Sequence, residues 1–342
     1  MKFLIIKLSS MGDIVHSLPL VYTIKKHFSN AQVDWLVGDK GFELLSLINE
    51  VDNVYLLELQ NIFSIQKKHY DFVIDVQGLF KSAFFSRISF GKKIIGFKNP
   101  KEKLARIFYD EKIDVGELFK TNNHIVDLNL KLIARVAKTL DKEVKFLMPK
   151  INAPDDKSIL STTNQNPSLI VFPGTRWESK LWPMEYWFDL LKSVSYDFNI
   201  YLCGSSSDLQ YVQPLIDKLN SNSVPYNNLI GKTSIKNLIY LVQHANLVVS
   251  CDSFGLHLAS AIKNDYGFPE VIGIYGPTSP FRSGPYNAIQ NCLYLSKLEC
   301  IACRRRQCPL GHHKCMNDIS PLDVKNMIYS KSVKKPAVHK IC

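Results

Sequence analysis

The first nineteen residues of the chain constrain its fold more than any other stretch. An apolar run over residues 3–6 is too short for a helix and indicates a buried β-strand. Small and polar residues follow up to Gly12, and after Asp13 apolar residues recur at helical spacing. A strand, a Ser/Gly loop and a helix in this order are typical of an open α/β sheet, in which ligands bind outside the carboxyl ends of the strands. We therefore expect this loop to face a ligand cleft.

Two domains are expected from the length and from a break in the pattern. The chain has 342 residues, which exceeds the usual size of a single hydrophobic core. Strands and helices alternate through the first half, stop in a polar, Pro-containing stretch over residues 148–167, and start again at residue 168. Such alternation favours right-handed βαβ units and a parallel sheet. We place the boundary within the polar stretch, which gives domains over residues 1–153 and 154–342, the second with a Cys-rich basic tail over residues 300–342.

The second half has loops that suit a phosphate group. Each of its four predicted strands ends in residues rich in Gly, Ser, Thr or Asp, whose backbone N–H groups and hydroxyls can bind a diphosphate. Two Rossmann-like halves joined by a linker are expected to enclose one cleft. The predicted strands are residues 3–6, 33–37, 70–76, 93–97, 168–172, 199–203, 247–250 and 271–275, and the main predicted helices are residues 42–48, 81–88, 126–140, 184–195 and 235–244.

Two kinds of nucleotide enzyme are disfavoured by missing motifs. The dinucleotide fingerprint G-x-G-x-x-G is absent after the first strand, which argues against a dehydrogenase. Gly231, Lys232 and Thr233 resemble the end of a P-loop, but Tyr226 stands where the first Gly of that motif is required.

The net charge of +11 favours an anionic partner. The basic residues do not form one dense run with interleaved aromatics, and no nucleic-acid-binding motif is present, so nucleic acid is not expected as a partner. Two looser basic clusters occupy residues 92–106 and residues 300–342, and each is either a solvated face or a surface for an anionic membrane or a phosphorylated substrate. No apolar stretch approaches the roughly 18 residues of a membrane span, and the start does not have the pattern of a secretory signal. We expect a cytoplasmic protein.

Motifs in both halves resemble those of one known family. They are SSMGDIVH at residues 9–16 with LP at 18–19, DVQGLFKSA at 75–83, PGTR at 173–176, KLWP at 180–183, DS at 252–253 with HLA at 257–259, and YGPT at 275–278. In this order they resemble bacterial heptosyltransferases of glycosyltransferase family 9. The resemblance covers residue 3 to about residue 285. It implies a GT-B fold, an ADP-heptose donor and metal-independent, inverting transfer with no required cofactor. The SSMGD form of the first loop is closest to the heptosyltransferase I members, which add the first heptose to Kdo-lipid A.

The acceptor side of the site is assigned to the first half. Inverting transfer needs a base near the acceptor hydroxyl, and Asp13 is the carboxylate of the loop expected to face the cleft. The alternative is that Asp13 only stabilises the start of a helix through the helix dipole. Ser10 and Gly12 belong to the same loop and are assigned to acceptor binding. Lys7 and Lys81 are candidates to bind the acid groups of Kdo, the alternative being solvated or structural lysines.

Neutralisation of the negative charge on the departing diphosphate is assigned to the first loop of the second half. Lys180, Thr175 and the backbone at Gly174 can supply positive charge and hydrogen bonds to it without a metal. Arg176 lies nearer the end of the strand and competes with Lys180 for this role. The match to the family's Lys-x-Trp-Pro pattern favours Lys180.

A second donor loop follows the strand over residues 247–250. Asp252, Ser253 and Gly255 begin a helix there, and helix capping alone would account for them. The resemblance instead assigns this loop to the heptose and the phosphates of the donor, with His257 one turn further along the same helix face.

The cysteines form a separate pattern. Four of them lie near two histidines with the spacing of ligands for a structural zinc or an iron–sulfur centre. Because the cytoplasm keeps thiols reduced, disulfides are not expected, and a reduced, metal-free loop is our expectation, with a structural metal as the alternative. The cluster is Cys300, Cys303, Cys308 and Cys315 with His312 and His313, whereas Cys203, Cys251, Cys292 and Cys342 are scattered.

Other functions stay open at this point. Within the family, the alternative is heptosyltransferase II, whose acceptor already carries a heptose. Outside it, a non-catalytic sugar-nucleotide sensor would keep the second-half loops but would have no need of Asp13, and a generic two-lobed binding protein would normally carry an export signal. The expected partners are ADP-heptose, Kdo-lipid A and, through peripheral contact, the cytoplasmic face of the inner membrane. We expect a monomer.

Overall fold

The chain divides into two compact units, Met1–Pro149 and Lys150–Cys342. This division lies within the predicted polar linker, shortly before residue 153. The computed structural model describes residues 1–116, 118, 122–156 and 166–332. Part of the predicted linker and the end of the basic tail with Cys342 therefore lie outside the described residues.

The first unit contains a six-stranded parallel sheet with the strand order β3-β2-β1-β4-β5-β6. The central strand β1 is buried over its last four residues, which explains why an uninterrupted apolar run marks it in the sequence. The strands are β1 (Lys2–Ile6), β2 (Gln32–Val37), β3 (Asn53–Leu56), β4 (Phe72–Asp75), β5 (Lys93–Phe97) and β6 (Glu111–Ile113).

Helices follow these strands as the alternation predicts. The region after Asp13, which has one continuous helical pattern, folds as two helices, and the second begins at Pro19, a residue suited to a first helical position because it has no N–H to leave unsatisfied. The helices are α1 (Met11–Val15), α2 (Pro19–His27), α3 (Asp39–Ser46), α4 (Leu59–Gln66), α5 (Phe80–Ile88) and α6 (Ile125–Ala137).

The second unit repeats this architecture with the order β12-β11-β10-β7-β8-β9, again all parallel. The strands are β7 (Ser168–Phe172), β8 (Asn199–Leu202), β9 (Asn227–Asn228), β10 (Leu247–Cys251), β11 (Glu270–Tyr275) and β12 (Cys292–Tyr294). The helices are α7 (Met184–Val194), α8 (Leu209–Ser221), α9 (Ile235–Gln243), α10 (Phe254–Tyr266), α11 (Pro280–Ser283), α12 (Lys314–Asn317) and α13 (Pro321–Ser332).

The strand order places a crevice at the same point of each sheet. In both units the first strand lies between the second and the fourth, so the sheet reverses its direction of growth between β1 and β4 and between β7 and β10. Such a switch point is where open α/β sheets bind ligands. Every predicted acceptor or donor residue lies between one of these four strands and the second turn of the helix that follows it.

The α/β prediction with two parallel sheets is confirmed, but the short elements at the sheet edges were missed. Strands β6, β9 and β12 have two or three residues each and end the sheets, so no apolar run marks them. Strand β3 and helices α4, α8 and α13 were also not predicted. Among the described residues, no helix combines the length and the apolar character needed to cross a membrane.

Candidate functional site

Asp13 lies in the first unit, in the first turn of α1 at the end of β1. Its Oδ2 accepts hydrogen bonds from the backbone N–H of Ser10 at 3.1 Å and from the Ser10 hydroxyl at 2.8 Å. These contacts with Ser10 agree with the alternative in which Asp13 only stabilises the start of the helix. It is only half-buried, and the neighbouring Gly12 is buried in the helix. The role of Asp13 as a base stays a prediction.

The loop after β4 is bound to the loop after β1. The side-chain oxygen of Gln77 accepts the N–H groups of Leu8 at 3.1 Å and of Ser9 at 3.2 Å. The buried Lys7 donates from Nζ to the carbonyl oxygen of Val76 at 3.3 Å, a contact that fits the structural alternative for this lysine. Gln77 was not predicted as a site residue, although it lies in the DVQGLFKSA motif at residues 75–83.

The carboxylate of Asp75 fixes the start of this second loop. It is fully buried and accepts four hydrogen bonds, from the N–H groups of Gln77 at 2.8 Å and Gly78 at 3.2 Å and from the hydroxyls of Ser82 at 2.9 Å and Tyr109 at 2.7 Å. Burial raises the pKa of Asp75 above its ordinary value, against the opposing effect of these hydrogen bonds. Lys81, in the first turn of the helix α5 that follows this loop, is exposed.

The second unit gathers charged groups around Asp252, directly after β10. Lys180 Nζ lies 2.6 Å from Asp252 Oδ2, and His257 Nε2 lies 3.1 Å from Asp252 Oδ1. The hydroxyl of Thr278 donates to Asp252 Oδ2 at 2.6 Å. The side chains of Asp252 and Lys180 are only 5% and 16% exposed, so the pair is largely shielded from water. Three predicted donor residues therefore lie together, and we call Lys180, Asp252, His257 and Thr278 the Asp252 cluster.

Charge compensation decides the ionisation state of Asp252. Burial acts to raise the pKa of this carboxyl, but the positive charge of Lys180 and the contact with His257 outweigh it and hold the pKa well below its usual range. The ammonium group of Lys180 also lies 4.6 Å from the ring centroid of Trp177, within the range of a cation–π contact. Arg176, the competitor of Lys180, is exposed. Thr278 was missed as a site residue because a single hydroxyl after a strand is a weak signal.

The two glycines assigned to the donor site are required by close packing. A Cβ at Gly174 would lie 2.7 Å from the side chain of Asp208, and a Cβ at Gly255 would lie 2.5 Å from the ring of Phe172. Neither distance is tolerated by a real side chain. These positions therefore let the loop after β7 and the start of α10 approach their neighbours closely.

Hydroxyl groups connect the same loops. Thr175 is buried, and its hydroxyl lies 3.4 Å from the backbone oxygen of Asp252, at the long limit of a hydrogen bond. Ser253 precedes α10 and shares a hydrogen bond of 2.8 Å with the hydroxyl of Ser250. The loops after β7 and β10 are thus in contact through Thr175 and Asp252, two residues predicted to bind the donor.

The clustered cysteines surround one small cavity of about 20 Å³. Burial and the charges of the other three cysteines raise the pKa of the Cys315 thiol to about 11. In the described part of the chain the cysteines are free thiols, and no three Cys, His, Asp or Glu side chains have the arrangement of metal ligands. The cavity is lined by Cys300, Cys303, Cys308 and Cys315, by His312 and His313, and by Ser179, Pro277, Pro309 and Leu310.

Comparison with known proteins gives consistent results. A sequence model described as glycosyltransferase family 9 (heptosyltransferase) matches residues 61–314. Lipooligosaccharide heptosyltransferase 2 of Campylobacter jejuni is 26% identical, over 91% of this chain and 92% of the relative. Lipopolysaccharide heptosyltransferase 1 of Campylobacter coli is 27% identical, over 83% and 86% respectively. The solved structure of E. coli heptosyltransferase WaaC with ADP is 23% identical and covers 97% of this chain and 100% of its own, with a TM-score of 0.74. The predicted GT-B fold class is confirmed.

Proposed function

Because the chain belongs to glycosyltransferase family 9, we propose that it transfers L-glycero-D-manno-heptose from ADP-heptose to the inner core of lipopolysaccharide or lipooligosaccharide. The observation that carries the proposal is the Asp252 cluster at the ligand-binding end of β10, in a unit whose loops suit a diphosphate. The names of the relatives, and the ADP in the WaaC structure, support the same choice of donor and product.

For the acceptor, we propose the Kdo of Kdo-lipid A, which makes the protein a heptosyltransferase I. The SSMGD form of the first loop supports this choice. Heptosyltransferase II is the second candidate, because relatives of both kinds are similar to this chain at 26% and 27% identity.

In the proposed mechanism, Asp13 accepts the proton of the acceptor hydroxyl as that oxygen attacks the anomeric carbon of the heptose. Attack from the face opposite the departing ADP inverts the configuration at that carbon. Ser10 holds Asp13 through Oδ2, which fixes the direction of the carboxylate. No metal is needed in this scheme, because residues of the chain neutralise the negative charge of the departing diphosphate.

Lys180 stabilises the negative charge that develops on the diphosphate. Its ammonium group has three N–H donors, so its contact with Asp252 leaves donors for a phosphate oxygen. Asp252, held by Thr278 and His257, keeps Lys180 in position. Backbone N–H groups of the loop at Gly174 add hydrogen bonds to the same diphosphate.

The test is the structure of the core made by cells that lack this gene. Mass analysis should show a core that ends immediately after Kdo, and ADP-heptose with Kdo-lipid A should yield the heptosylated product when the purified protein is added. A core that retains one heptose would identify the second candidate, heptosyltransferase II. An unchanged core, with no product from either acceptor in vitro, would contradict the proposal and favour a non-catalytic sugar-nucleotide sensor.

We also propose that the protein works as a monomer in peripheral contact with the cytoplasmic face of the inner membrane. Three lysines of the basic cluster at residues 92–106 already have carboxylate partners, Lys92–Asp71, Lys93–Glu111 and Lys98–Asp114. We expect Lys101, Lys103 and Arg106 of the same cluster, which are exposed, to provide positive charge for contact with a membrane. The apolar side chains of Leu104 and Ile107 beside them are exposed as well.

Binding to vesicles with anionic lipid tests this contact. We expect binding to fall steeply as salt rises, since each basic residue near the surface contributes on the order of 1 kcal/mol and salt screens it. Replacing Lys98, Lys101 and Lys103 together by Gln should weaken binding further and leave ADP affinity unchanged. Salt-insensitive binding would instead indicate an inserted apolar surface, and no binding would mean that only the acceptor headgroup recruits the protein.

A further inference from the structure

A segment without helix or strand packs against the loops that carry two members of the Asp252 cluster. It runs over residues 295–313, between β12 and α12. The carbonyl oxygen of Arg306 accepts the N–H of Ser179 at 3.1 Å, and the N–H of Arg304 donates to Pro277 at 2.8 Å. Ser179 precedes Lys180, and Pro277 precedes Thr278. The segment is therefore hydrogen-bonded to the loop that carries Lys180 and to the loop that carries Thr278.

A side chain adds to this contact. A ring nitrogen of His313 lies 2.6 Å from the carbonyl oxygen of Ser179, and the Ser179 hydroxyl donates to Arg305 at 2.6 Å. Gly276 lies so close to α12, the helix that follows the segment, that a Cβ there would come 2.9 Å from the sulfur of Cys315. The position of this segment thus bears directly on the position of Lys180 and Thr278.

A stretch of this length without regular structure needs some other source of rigidity. The backbone adopts left-handed conformations at Ala302, Arg304 and His313, with φ of 56°, 58° and 47°. Such conformations are costly for residues other than glycine and persist only where surrounding contacts hold them. Four cysteines and two histidines of the segment and of α12 line one cavity, and its volume of about 20 Å³ suits a single ion or water molecule.

The loop at Cys308 is a tight turn. The N–H of Gly311 donates to the carbonyl oxygen of Cys308 at 3.3 Å. This turn needs Gly311, whose φ is +70°. It brings Cys308, His312 and His313 to the same cavity as the other three cysteines of the cluster.

We propose that Cys300, Cys303, Cys308 and Cys315 bind one structural zinc ion as thiolates, and that this ion fixes the segment against the loops of Lys180 and Thr278. Four sulfur ligands in a closed tetrahedral set are typical of structural zinc. The thiols lose their protons when the ion binds. The resulting net negative charge is offset by Arg304, Arg305 and Arg306, which follow Cys303 directly.

Binding requires the thiols to close around the ion, because no three described side chains have ligating geometry as they stand. All four cysteines already line one cavity of about 20 Å³. We expect side-chain rotations around this cavity to bring the four sulfur atoms to the ion.

The first test is metal analysis of the full chain, purified without chelator from cells grown with zinc and iron. We expect one zinc per chain in the wild type and in Cys292→Ser, a control that removes a thiol outside the cluster. Cys303→Ser and Cys308→Ser should lose most of the zinc. Cys303 is exposed, so its variant is expected to fold, and circular dichroism checks this. A wild type without zinc, or variants with the same zinc content as the wild type, would overturn the proposal.

Two further variants and conditions test the ligand set. His312→Gln should retain the zinc, and loss of the ion in that variant would overturn the four-cysteine set. Iron in place of zinc would overturn the choice of metal. Cobalt added after chelation should give a thiolate charge-transfer band that is weaker in Cys308→Ser, and a band of equal strength in that variant would count against the proposal.

The consequence for Lys180 rests on the proposed function, and ADP is its probe. Removing the zinc should weaken ADP binding by about fivefold or more in calorimetry, with recovery when zinc is returned, because the two sites would be coupled through the segment. Unchanged ADP affinity after complete zinc loss would overturn the positioning role. If the zinc-loaded wild type does not bind ADP at all, the proposed function fails, while the zinc content still decides the metal site.

Discussion

Asp75 is the last residue of β4 and Asp252 directly follows β10, so each lies at the carboxyl end of the fourth strand of its sheet, and the two sheets have the same strand order. Both carboxyls are buried. Asp75 accepts hydrogen bonds from two N–H groups and two hydroxyls, all uncharged. Asp252 contacts Lys180 and His257, so its pKa is lowered whereas that of Asp75 is raised. The fold places a carboxyl at each site, and the neighbouring side chains decide its charge.

The difference indicates that the Asp75 site has a structural role, whereas the Asp252 site can bind a charged ligand. The neutral network around Asp75 holds its loop in one shape, which in turn positions Gln77 and the loop before Asp13. The ionic network around Asp252 contains a lysine that can shift part of its hydrogen bonding to an anion. The same topology therefore supports two different chemical tasks, as expected when function is decided by side chains and not by the fold.

The largest effect is expected at the first loop. Asp13→Asn should lower turnover by about 10²- to 10⁴-fold, as for the loss of a general base, with ADP binding nearly intact. Asn keeps an oxygen for the Ser10 N–H, so the variant separates catalysis from helix capping. Steady-state kinetics with ADP-heptose measure the effect. Wild-type turnover in this variant would reduce Asp13 to a helix-start residue.

The next largest effect is on stability, at the ionic carboxyl. Asp252→Asn leaves the largely shielded Lys180 without its carboxylate and should destabilise the second unit by about 3 to 5 kcal/mol. Asp114→Asn is the matched control, because it breaks an exposed, solvent-screened pair with Lys98 that contributes little to stability. Urea unfolding followed by tryptophan fluorescence reports both. Equal effects in the two variants would contradict the buried, compensated state of Asp252.

A smaller effect is expected on donor affinity. Lys180→Ala should weaken ADP binding by about tenfold, the size expected for one charge-assisted hydrogen bond. Arg176→Ala on the same loop is the control and should leave the affinity nearly unchanged, because Arg176 is exposed and Lys180 lies in the Asp252 cluster. Calorimetry measures both variants. A larger loss with Arg176→Ala than with Lys180→Ala would reverse the assignment.

The smallest effect is a difference in pH dependence between the two carboxyls. The lowered pKa of folded Asp252 means that its contribution to stability is present above the unfolded value near 4 and is lost as the pH falls below it. The raised pKa of folded Asp75 means the reverse, a contribution that is lost as the pH rises above that value. The stability difference between the wild type and each Asp→Asn variant should therefore change with opposite slopes. Slopes of the same sign would contradict the opposite charge environments.

The prediction from sequence was good for the strands at the centre of each sheet and poor at the edges. Strand β7 was predicted with its observed bounds, and β5 likewise, because buried parallel strands are continuous apolar runs. Strands β9 and β12 carry no such signal, since a short edge strand is set by pairing with its neighbour. For the site, the residue types and their loops were predicted, but the partner Thr278 and the neutral network of Asp75 were not.

What the sequence determined by itself is the alternation of strands and helices and the place of each candidate residue after a strand. Periodicity and short motifs carry this information because they depend only on neighbours along the chain. The tertiary structure decided which of these residues meet. Lys180 reaches Asp252 only because β7 and β10 lie side by side in the sheet, although many residues separate the two along the chain. Contacts and burial set the charge of a carboxyl, and no local pattern encodes either one.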